Sequence, residues 1–213
     1  KVTGVQTCAL PISVLGDTVA LFLDGPAGAA FSGPQLNRAV HFAGSGASAV
    51  VPLRGEASTL EFWFWNGLSN RVREVTGTLA GLQDEYSVFI AGGTNAESGR
   101  LVLETHFARA GESGRSLSTH VVPVKEWVHL AIVQEPARIT VYLDGEEWAA
   151  AKRIAKPSSS RDRLAQVRLG WDFGGRPTLE GKLDEAAIFD RAIPAQEFQK
   201  RHAMALARIF HAQ

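Results

Sequence analysis

Thr59-Leu-Glu-Phe-Trp-Phe-Trp-Asn66 is the run of sequence that decides the fold class of this chain. It has the length of a β-strand, and its side chains alternate so that the leucine and the two phenylalanines share one face while Trp63 and Trp65 occupy the other. A strand that is apolar on both faces lies in the middle of a sheet or beneath another element. We therefore expect this run to be a central strand, with both tryptophans packed rather than exposed.

Strand-length runs continue from residue 19 to residue 190, and most alternate with a period of two. Between them stand turn residues; Asp144-Gly145 indicates a two-residue hairpin, because glycine accepts the positive φ of a type I′ turn. The predicted strands are 19–23, 39–42, 49–51, 60–65, 85–91, 101–107, 117–122, 128–133, 139–143, 166–169 and 183–189. Many short strands with no helix between them favour a two-sheet sandwich over an α/β fold.

One amphipathic helix is expected to close the chain at about residues 194–211. Its apolar stripe consists of Phe198, Ala205, Ile209 and Phe210. Glu197 stands where the acid of a capping box would stand, but Pro194 offers no side-chain acceptor, so the predicted cap is only half made.

Composition excludes several classes of partner. Lys plus Arg and Asp plus Glu number 22 each, with no basic cluster, so neither nucleic acid nor an anionic membrane has electrostatic support. The hydrophobic share of 45% is ample for a core, yet no apolar run approaches the length of a membrane span, which predicts no membrane insertion. The chain length suits one all-β domain.

Residues 1–12 are expected to be foreign to the native protein. Val2-Thr-Gly-Val-Gln-Thr-Cys-Ala-Leu-Pro-Ile12 resembles the in-frame translation of a sequencing-library adapter, and such segments are excluded from fold reasoning. Apart from Lys1 it has no charged region and no long apolar core, which argues against a signal peptide. Cys8, the only cysteine, would then also be foreign. We predict one domain over residues 13–213, forming the C-terminal part of a longer protein.

Four further runs, taken in order, carry a family resemblance: Asn37-Arg-Ala-Val-His-Phe-Ala-Gly44, Trp127-Val-His129, Val141-Tyr-Leu-Asp-Gly145 and Gly181-Lys-Leu-Asp-Glu-Ala-Ala-Ile-Phe-Asp-Arg-Ala-Ile193. Together with the run at 59–66 they resemble the laminin G-like branch of the concanavalin A-like jelly rolls. The resemblance implies an all-β fold, a two-sheet antiparallel jelly-roll β-sandwich, with one C-terminal helix.

The resemblance also implies a function. Such domains are modules of large exported or surface proteins, so we expect a non-catalytic binding or adhesion module, with a carbohydrate or protein ligand, from a larger exported bacterial protein. Its location would be secreted, periplasmic or at the cell surface. One alternative is a structural accessory domain packed on upstream domains of a parent enzyme. Another is a divergent glycoside hydrolase.

Paired carboxylates are the requirement that the hydrolase alternative does not meet. Related sandwich glucanases carry Glu-x-Asp-x-x-Glu on one strand, and this chain has no such run. Glu61 stands alone on its strand, and Glu185 lies on another. His129 shares a strand face with Trp127, and a lone histidine there is more often a cross-strand partner than a catalyst. We therefore predict that the domain is not an enzyme.

Two sets of residues are the candidate sites. By analogy with similar sandwiches, Asp184 would hold a structural calcium together with the backbone carbonyl of Gly44, since calcium prefers carboxylate and carbonyl oxygens; alternatively, Asp184 only hydrogen-bonds backbone amides of a nearby turn. In the loop-like stretch after residue 170, Trp171, Asp172 and Arg176 are the candidate ligand-binding residues, because an aromatic ring presented to solvent can stack on a sugar.

Overall fold

The computed structural model describes residues 14–15, 19–26, 38–106, 113–153 and 162–207. In this part of the chain, fourteen strands form two antiparallel sheets of seven strands each, and one helix follows the last strand. The strands are β1 (Val14–Leu15), β2 (Val19–Asp24), β3 (Arg38–Ala43), β4 (Ala47–Arg54), β5 (Ser58–Asn66), β6 (Val75–Leu82), β7 (Tyr86–Ala91), β8 (Arg100–His106), β9 (Ser113–Val121), β10 (Trp127–Gln134), β11 (Arg138–Leu143), β12 (Glu146–Lys152), β13 (Asp162–Leu169) and β14 (Glu180–Phe189).

Sheet A has the strand order β12-β11-β10-β5-β14-β3-β2, and sheet B has the order β1-β4-β13-β6-β7-β8-β9. The two-sheet antiparallel sandwich predicted from the sequence is therefore confirmed. β5 occupies the centre of sheet A, between β10 and β14, as its two apolar faces predicted.

The core lies between the two sheets. Phe62 and Phe64 of β5 are fully buried and pack in one cluster with Val88 and Ile90 of β7 in sheet B. Burying a side chain of this size stabilises the fold by about 1.5–3 kcal/mol relative to exposure. The alternation of β5 thus directs one face into the shared core and leaves Glu61 and the two tryptophans on the outer face.

The predicted hairpin is present between β11 and β12. Asp144 has a φ of 50° and Gly145 a φ of 83°, the two positive values that a type I′ turn requires. Asp144 donates its backbone N–H to the carbonyl of His129, and its carboxylate accepts the backbone N–H of His129, both at 2.9 Å. The turn is therefore tied to β10.

Three strands in the structure, β1, β6 and β12, do not appear among the predicted ones. β1 has only two residues, and the other two each have a local reason. β6 contains Gly77 and Gly81, which lower the strand propensity of its sequence. β12 reads Glu-Glu-Trp-Ala-Ala-Ala-Lys, a composition that favours a helix. Hydrogen-bonded pairing of β6 with β7 and β13, and of β12 with β11, overrides these preferences.

The helix α1 spans Ala195–Ala207, within the predicted range of 194–211, of which residues 208–211 lie outside the described part of the chain. Phe198 is fully buried on the outer face of sheet A, in a cluster with Ala131, Val133 and Ile193. Its N-terminus has the backbone bond from Glu197 N–H to the carbonyl of Pro194, at 3.0 Å. Among the described residues, no helix has the length and apolar character needed to cross a membrane.

Candidate ligand-binding cleft

A cleft of about 620 Å³ opens at one end of the sandwich. Three loops meet there: residues 67–74 between β5 and β6, residues 92–99 between β7 and β8, and residues 122–126 between β9 and β10. The first and third of these loops carry the chain from one sheet to the other. The lining residues are Ser69, Asn70, Arg71, Gly93, Thr94, Asn95, Ser98, Val121 and Val124.

Hydrogen bonds between the loops fix the shape of the cleft. Ser98 donates its hydroxyl to the backbone carbonyl of Asn70 at 3.1 Å, which joins the second loop to the first. The side-chain amide of Asn66, at the end of β5, donates to Asn70 Oδ1 at 3.5 Å. Within the second loop, Asn95 Oδ1 accepts the backbone N–H of Glu97 at 2.9 Å, an Asx-turn.

The lining is polar, with few charges. Side-chain amides and hydroxyls supply both donors and acceptors, and Arg71 is the one charged side chain among the lining residues. Val121 is 54% exposed and offers an apolar surface beside them. A volume of this size lies within the range of small-molecule sites. Such a lining suits a ligand rich in hydroxyl groups.

The predicted ligand-binding residues lie elsewhere, between β13 and β14, with their polar groups bonded to other protein groups. The indole N–H of Trp171 donates to the carbonyl of Ala47 at 3.0 Å, and the ring is half-buried rather than presented to solvent. Asp172 is 3% exposed; its carboxylate accepts the backbone N–H of Gly174 at 2.8 Å and binds Arg176 at 2.6 Å.

Arg176 continues this network onto sheet B. It forms an ion pair with Glu104 of β8, and its guanidinium lies 4.6 Å from the centre of the Phe89 ring. These contacts anchor the stretch after β13 across the outer face of the sheet. A ligand-binding role for Trp171, Asp172 and Arg176 stays a prediction, and the geometry shows the three residues engaged in holding this segment in place.

The structure does not bring the predicted calcium ligands together. β14 pairs with β3 so that Glu180 lies opposite Ala43, next to Gly44, whereas Asp184 lies four residues further along β14. At about 3.3 Å per residue the separation is about 13 Å or more, and calcium ligands lie within about 2.6 Å of the ion. The pairing of Asp184 with the Gly44 carbonyl at one ion stays a prediction, which the register of β14 on β3 does not favour.

The Asp184 carboxylate has a hydrogen-bond partner in the next residue of the chain. Its carboxylate accepts the backbone N–H of Glu185 at 2.8 Å, at a β-bulge where Glu185 has a φ of 50°. This bond is of the kind that the alternative predicted, in which Asp184 hydrogen-bonds backbone amides of a nearby turn. In the part of the chain that the structure describes, no three His, Cys, Asp or Glu side chains form a group suited to a metal ion. Calcium binding by this domain stays a prediction.

Glu61 lies on the outer face of sheet A, beneath α1, where it is 8% exposed. Its carboxylate accepts a hydrogen bond from His129 Nε2 at 2.9 Å and forms an ion pair with Arg201 of the helix. His129 thus has the cross-strand partner that its position predicted. The ring centres of Trp63 and His202 lie 6.2 Å apart, and the two rings are inclined by 21°. Trp63 therefore packs under the helix.

The electrostatics of this cluster suit a structural role. Burial alone would raise the pKa of the Glu61 carboxyl, but the hydrogen bond and charge of His129, together with Arg201, outweigh it and hold the pKa below its ordinary value. Burial raises the pKa of the Asp144 carboxyl, on the turn beside the helix. Glu61 is therefore charged and paired, which links the helix to β5.

The sequence alone does not single out the cleft residues. Loop 92–99 is rich in Gly, Asn, Ser and Thr. This composition indicates a turn but does not indicate whether the loop binds a ligand. The residues of the cleft become neighbours only through the strand order, since they come from three separate loops. The density of Asn, Ser and Thr in two of these loops is the one signal that could have pointed to them.

The fold and its loop cleft define the class of protein: an antiparallel jelly-roll sandwich of the concanavalin A type. Residues 43–199 match the family model Laminin_G_3, described as the concanavalin A-like lectin/glucanases superfamily, and the chain belongs to this family. No curated protein sequence matches the chain significantly.

Solved structures show the same fold. Domain 4 of AbnA, a GH43 extracellular arabinanase from Geobacillus stearothermophilus, solved in complex with arabinotriose, is 18% identical with a TM-score of 0.60, covering 90% of this chain and 84% of that one. The botulinum neurotoxin type G receptor binding domain is 14% identical, with a TM-score of 0.59 and coverage of 90% and 45%. The binding domain of Paraclostridial Mosquitocidal Protein 1 is 13% identical, with a TM-score of 0.62 and coverage of 88% and 46%. The chain thus spans less than half of the two toxin domains.

Proposed function

We propose that this domain is a non-catalytic module that binds a carbohydrate in the cleft formed by loops 67–74, 92–99 and 122–126. The observation that carries the proposal is the lining of the cleft: amides, hydroxyls and one guanidinium around a volume of about 620 Å³. These groups can donate to and accept from sugar hydroxyls, and the valines Val121 and Val124 can contact the C–H faces of a pyranose or furanose ring.

The carboxylates support a binding role rather than hydrolysis. Glycoside hydrolysis requires two carboxyl groups at a controlled separation on either side of the scissile bond. The cleft lining contains none. Glu61 is buried in ion pairs beneath α1, and Glu185 is exposed on another strand, at the bulge of β14.

The similar solved structures support a binding role within a larger protein. One structural neighbour is a domain of an extracellular arabinanase solved with arabinotriose, and two others are binding domains of toxins. With this support we propose that the domain is a module of a larger exported bacterial protein, secreted, periplasmic or at the cell surface. Its task there is to hold the parent protein on a glycan.

A panel of oligosaccharides and polysaccharides, with arabinotriose among the soluble ligands, tests the proposal by calorimetry and affinity electrophoresis. Substituting Asn70→Ala or Arg71→Ala removes one side chain of the cleft, and each is expected to weaken binding about three- to tenfold. The matched control is Arg138→Ala, which removes an exposed guanidinium at the far end of β11 and leaves affinity unchanged.

Three outcomes would contradict the proposal. If no panel member binds the parent domain, the structural accessory role takes its place. If Trp171→Ala abolishes binding while both cleft variants bind normally and all variants remain folded, the site lies at residues 171–176 instead. Release of reducing sugar from any bound glycan would contradict the non-catalytic role.

A further inference from the structure

Arg73, in the first cleft loop, has its guanidinium inside a cage of oxygen atoms. Its Nε donates to the carbonyl of Val75 at 2.9 Å, and its Nη2 donates to the carbonyls of Thr76 at 2.6 Å and Thr178 at 2.5 Å. Its Nη1 binds the carboxylate of Glu180 at 3.0 Å. Three backbone carbonyls and one carboxylate therefore converge on one positive charge.

The cage joins parts of the fold that are distant in sequence. Val75 and Thr76 begin β6 of sheet B, whereas Thr178 and Glu180 lead into β14 of sheet A. Next to Arg73, the carbonyl of Glu74 accepts the backbone N–H of Gly92 at 2.8 Å, which attaches the second cleft loop to the first. The guanidinium thus connects the two sheets at the end where the cleft opens.

Carbonyl and carboxylate oxygens around a positive charge are also the ligands that hard divalent cations take. An arginine can hold such a set because its planar guanidinium has five N–H donors and stays charged. Without a cation, three carbonyl dipoles and a carboxylate facing one another would repel. The positive charge of the Arg73 guanidinium offsets this repulsion.

We propose that Arg73 acts as a built-in cation: it occupies a cation site made of the carbonyls of Val75, Thr76 and Thr178 and the carboxylate of Glu180. The domain then needs no metal ion to join its sheets at this end. Removing the guanidinium turns the cage into a site that takes a small cation from solution, either a divalent metal or a free guanidinium. This inference does not depend on what the cleft binds.

Thermal unfolding of Arg73→Ala tests the proposal directly. In EDTA the variant is expected to have a Tm about 5 °C or more below that of the unsubstituted domain. A loss of a few kcal/mol in the free energy of unfolding shifts Tm by that amount in a domain of this size. Millimolar CaCl2 or methylguanidinium chloride is expected to restore at least half of the loss. The unsubstituted domain is expected to change less in Tm between EDTA and either cation than Arg73→Ala does.

Arg115→Ala is the matched control, because the Arg115 guanidinium binds the carboxylates of Glu97 and Glu104 rather than a cage of carbonyls. Neither cation is expected to raise its Tm. Should Arg73→Ala fail to fold, Arg73→Gln is compared in the same way, and the yield of refolded protein with and without each cation is the readout.

Two results would overturn the proposal. The first is that neither cation raises the Tm or the refolding yield of the Arg73 variants, which would show that Arg73 acts through packing alone. The second is that either cation raises the Tm of the unsubstituted domain as much as that of Arg73→Ala, which would show that the effect does not come from the cage.

Discussion

Gly99 closes the second cleft loop with a φ of +81°, and an added Cβ there would lie 2.4 Å from Asn70 Nδ2 and 2.6 Å from Val121 Cγ1. Both contacts are with side chains that line the cleft. A larger residue at this position would therefore displace the cleft itself and not only strain the backbone.

Gly99→Ala is expected to weaken glycan binding at least tenfold and to destabilise the domain by about 1–2 kcal/mol. The matched control is Gly55→Ala: Gly55 has the same φ of +81°, but nothing lies within 4 Å of the added Cβ. Gly55→Ala has the backbone strain without the steric contact, so it is expected to lose less stability than Gly99→Ala and to keep the affinity for the glycan. Urea unfolding and calorimetry measure the two effects, and equal loss of affinity in both variants would refute the steric explanation.

The Glu61 ion pairs make stability depend on pH. Because the pKa of Glu61 is lower in the folded state than its ordinary value of 4.5, the stability it contributes is fully present above that value and is lost as the pH falls through the folded pKa. Glu61→Gln is expected to cost about 3 kcal/mol at pH 7, with a gap to the parent that narrows below about pH 4.5.

Unfolding by urea at a series of pH values measures this gap. Glu97→Gln is the control, since Glu97 also has a lowered pKa from its bond to Arg115 but is exposed, and exposed pairs contribute little. A gap that stays constant from pH 7 to acidic pH would show that Glu61 contributes by packing rather than by its charge.

At the scale of elements, Phe198 is the buried side chain of α1 among residues 195–204, whose burial the structure describes. Phe198 is 0% exposed, and its ring centre lies 5.4 Å from that of Tyr142. Met204 of the same helix is 52% exposed. Phe198→Ala is expected to destabilise the domain by about 3–5 kcal/mol and Met204→Ala by less than about 0.5 kcal/mol. Guanidinium unfolding compares them; similar losses would mean that the helix is not held by this contact.

The sequence predicted those strands, turns and helices that a single local pattern of residues specifies. The period of two in β5, the Asp144-Gly145 turn and the position of α1 all follow from neighbouring residues in the chain. β6 and β12 were missed because their glycines and alanines carry weak or contrary propensities. Their pairing with adjacent strands, which is a long-range interaction, makes them strands.

At the scale of the whole molecule, both sheets contribute to a single core, and β1 adds Val14 and Leu15 to the edge of sheet B through pairing with β4. If residues 1–12 are foreign, their deletion is expected to leave the Tm within about 1 °C of the parent and the unfolding slope unchanged. Differential scanning calorimetry of both forms measures this. A loss of several degrees would show that residues 1–12 belong to the folded domain.

The sequence by itself determined the β-class, the central place of Thr59–Asn66 and the partner role of His129, because side-chain alternation and turn chemistry act between near neighbours. Only the tertiary structure decided which polar residues meet. Strand order brings three loops into one cleft, the register separates Asp184 from Gly44, and the packing of the segment after β13 buries Asp172. Turn chemistry fixes the register of neighbours joined by a tight hairpin, whereas the sheet order and the register between strands distant in the chain depend on long-range contacts.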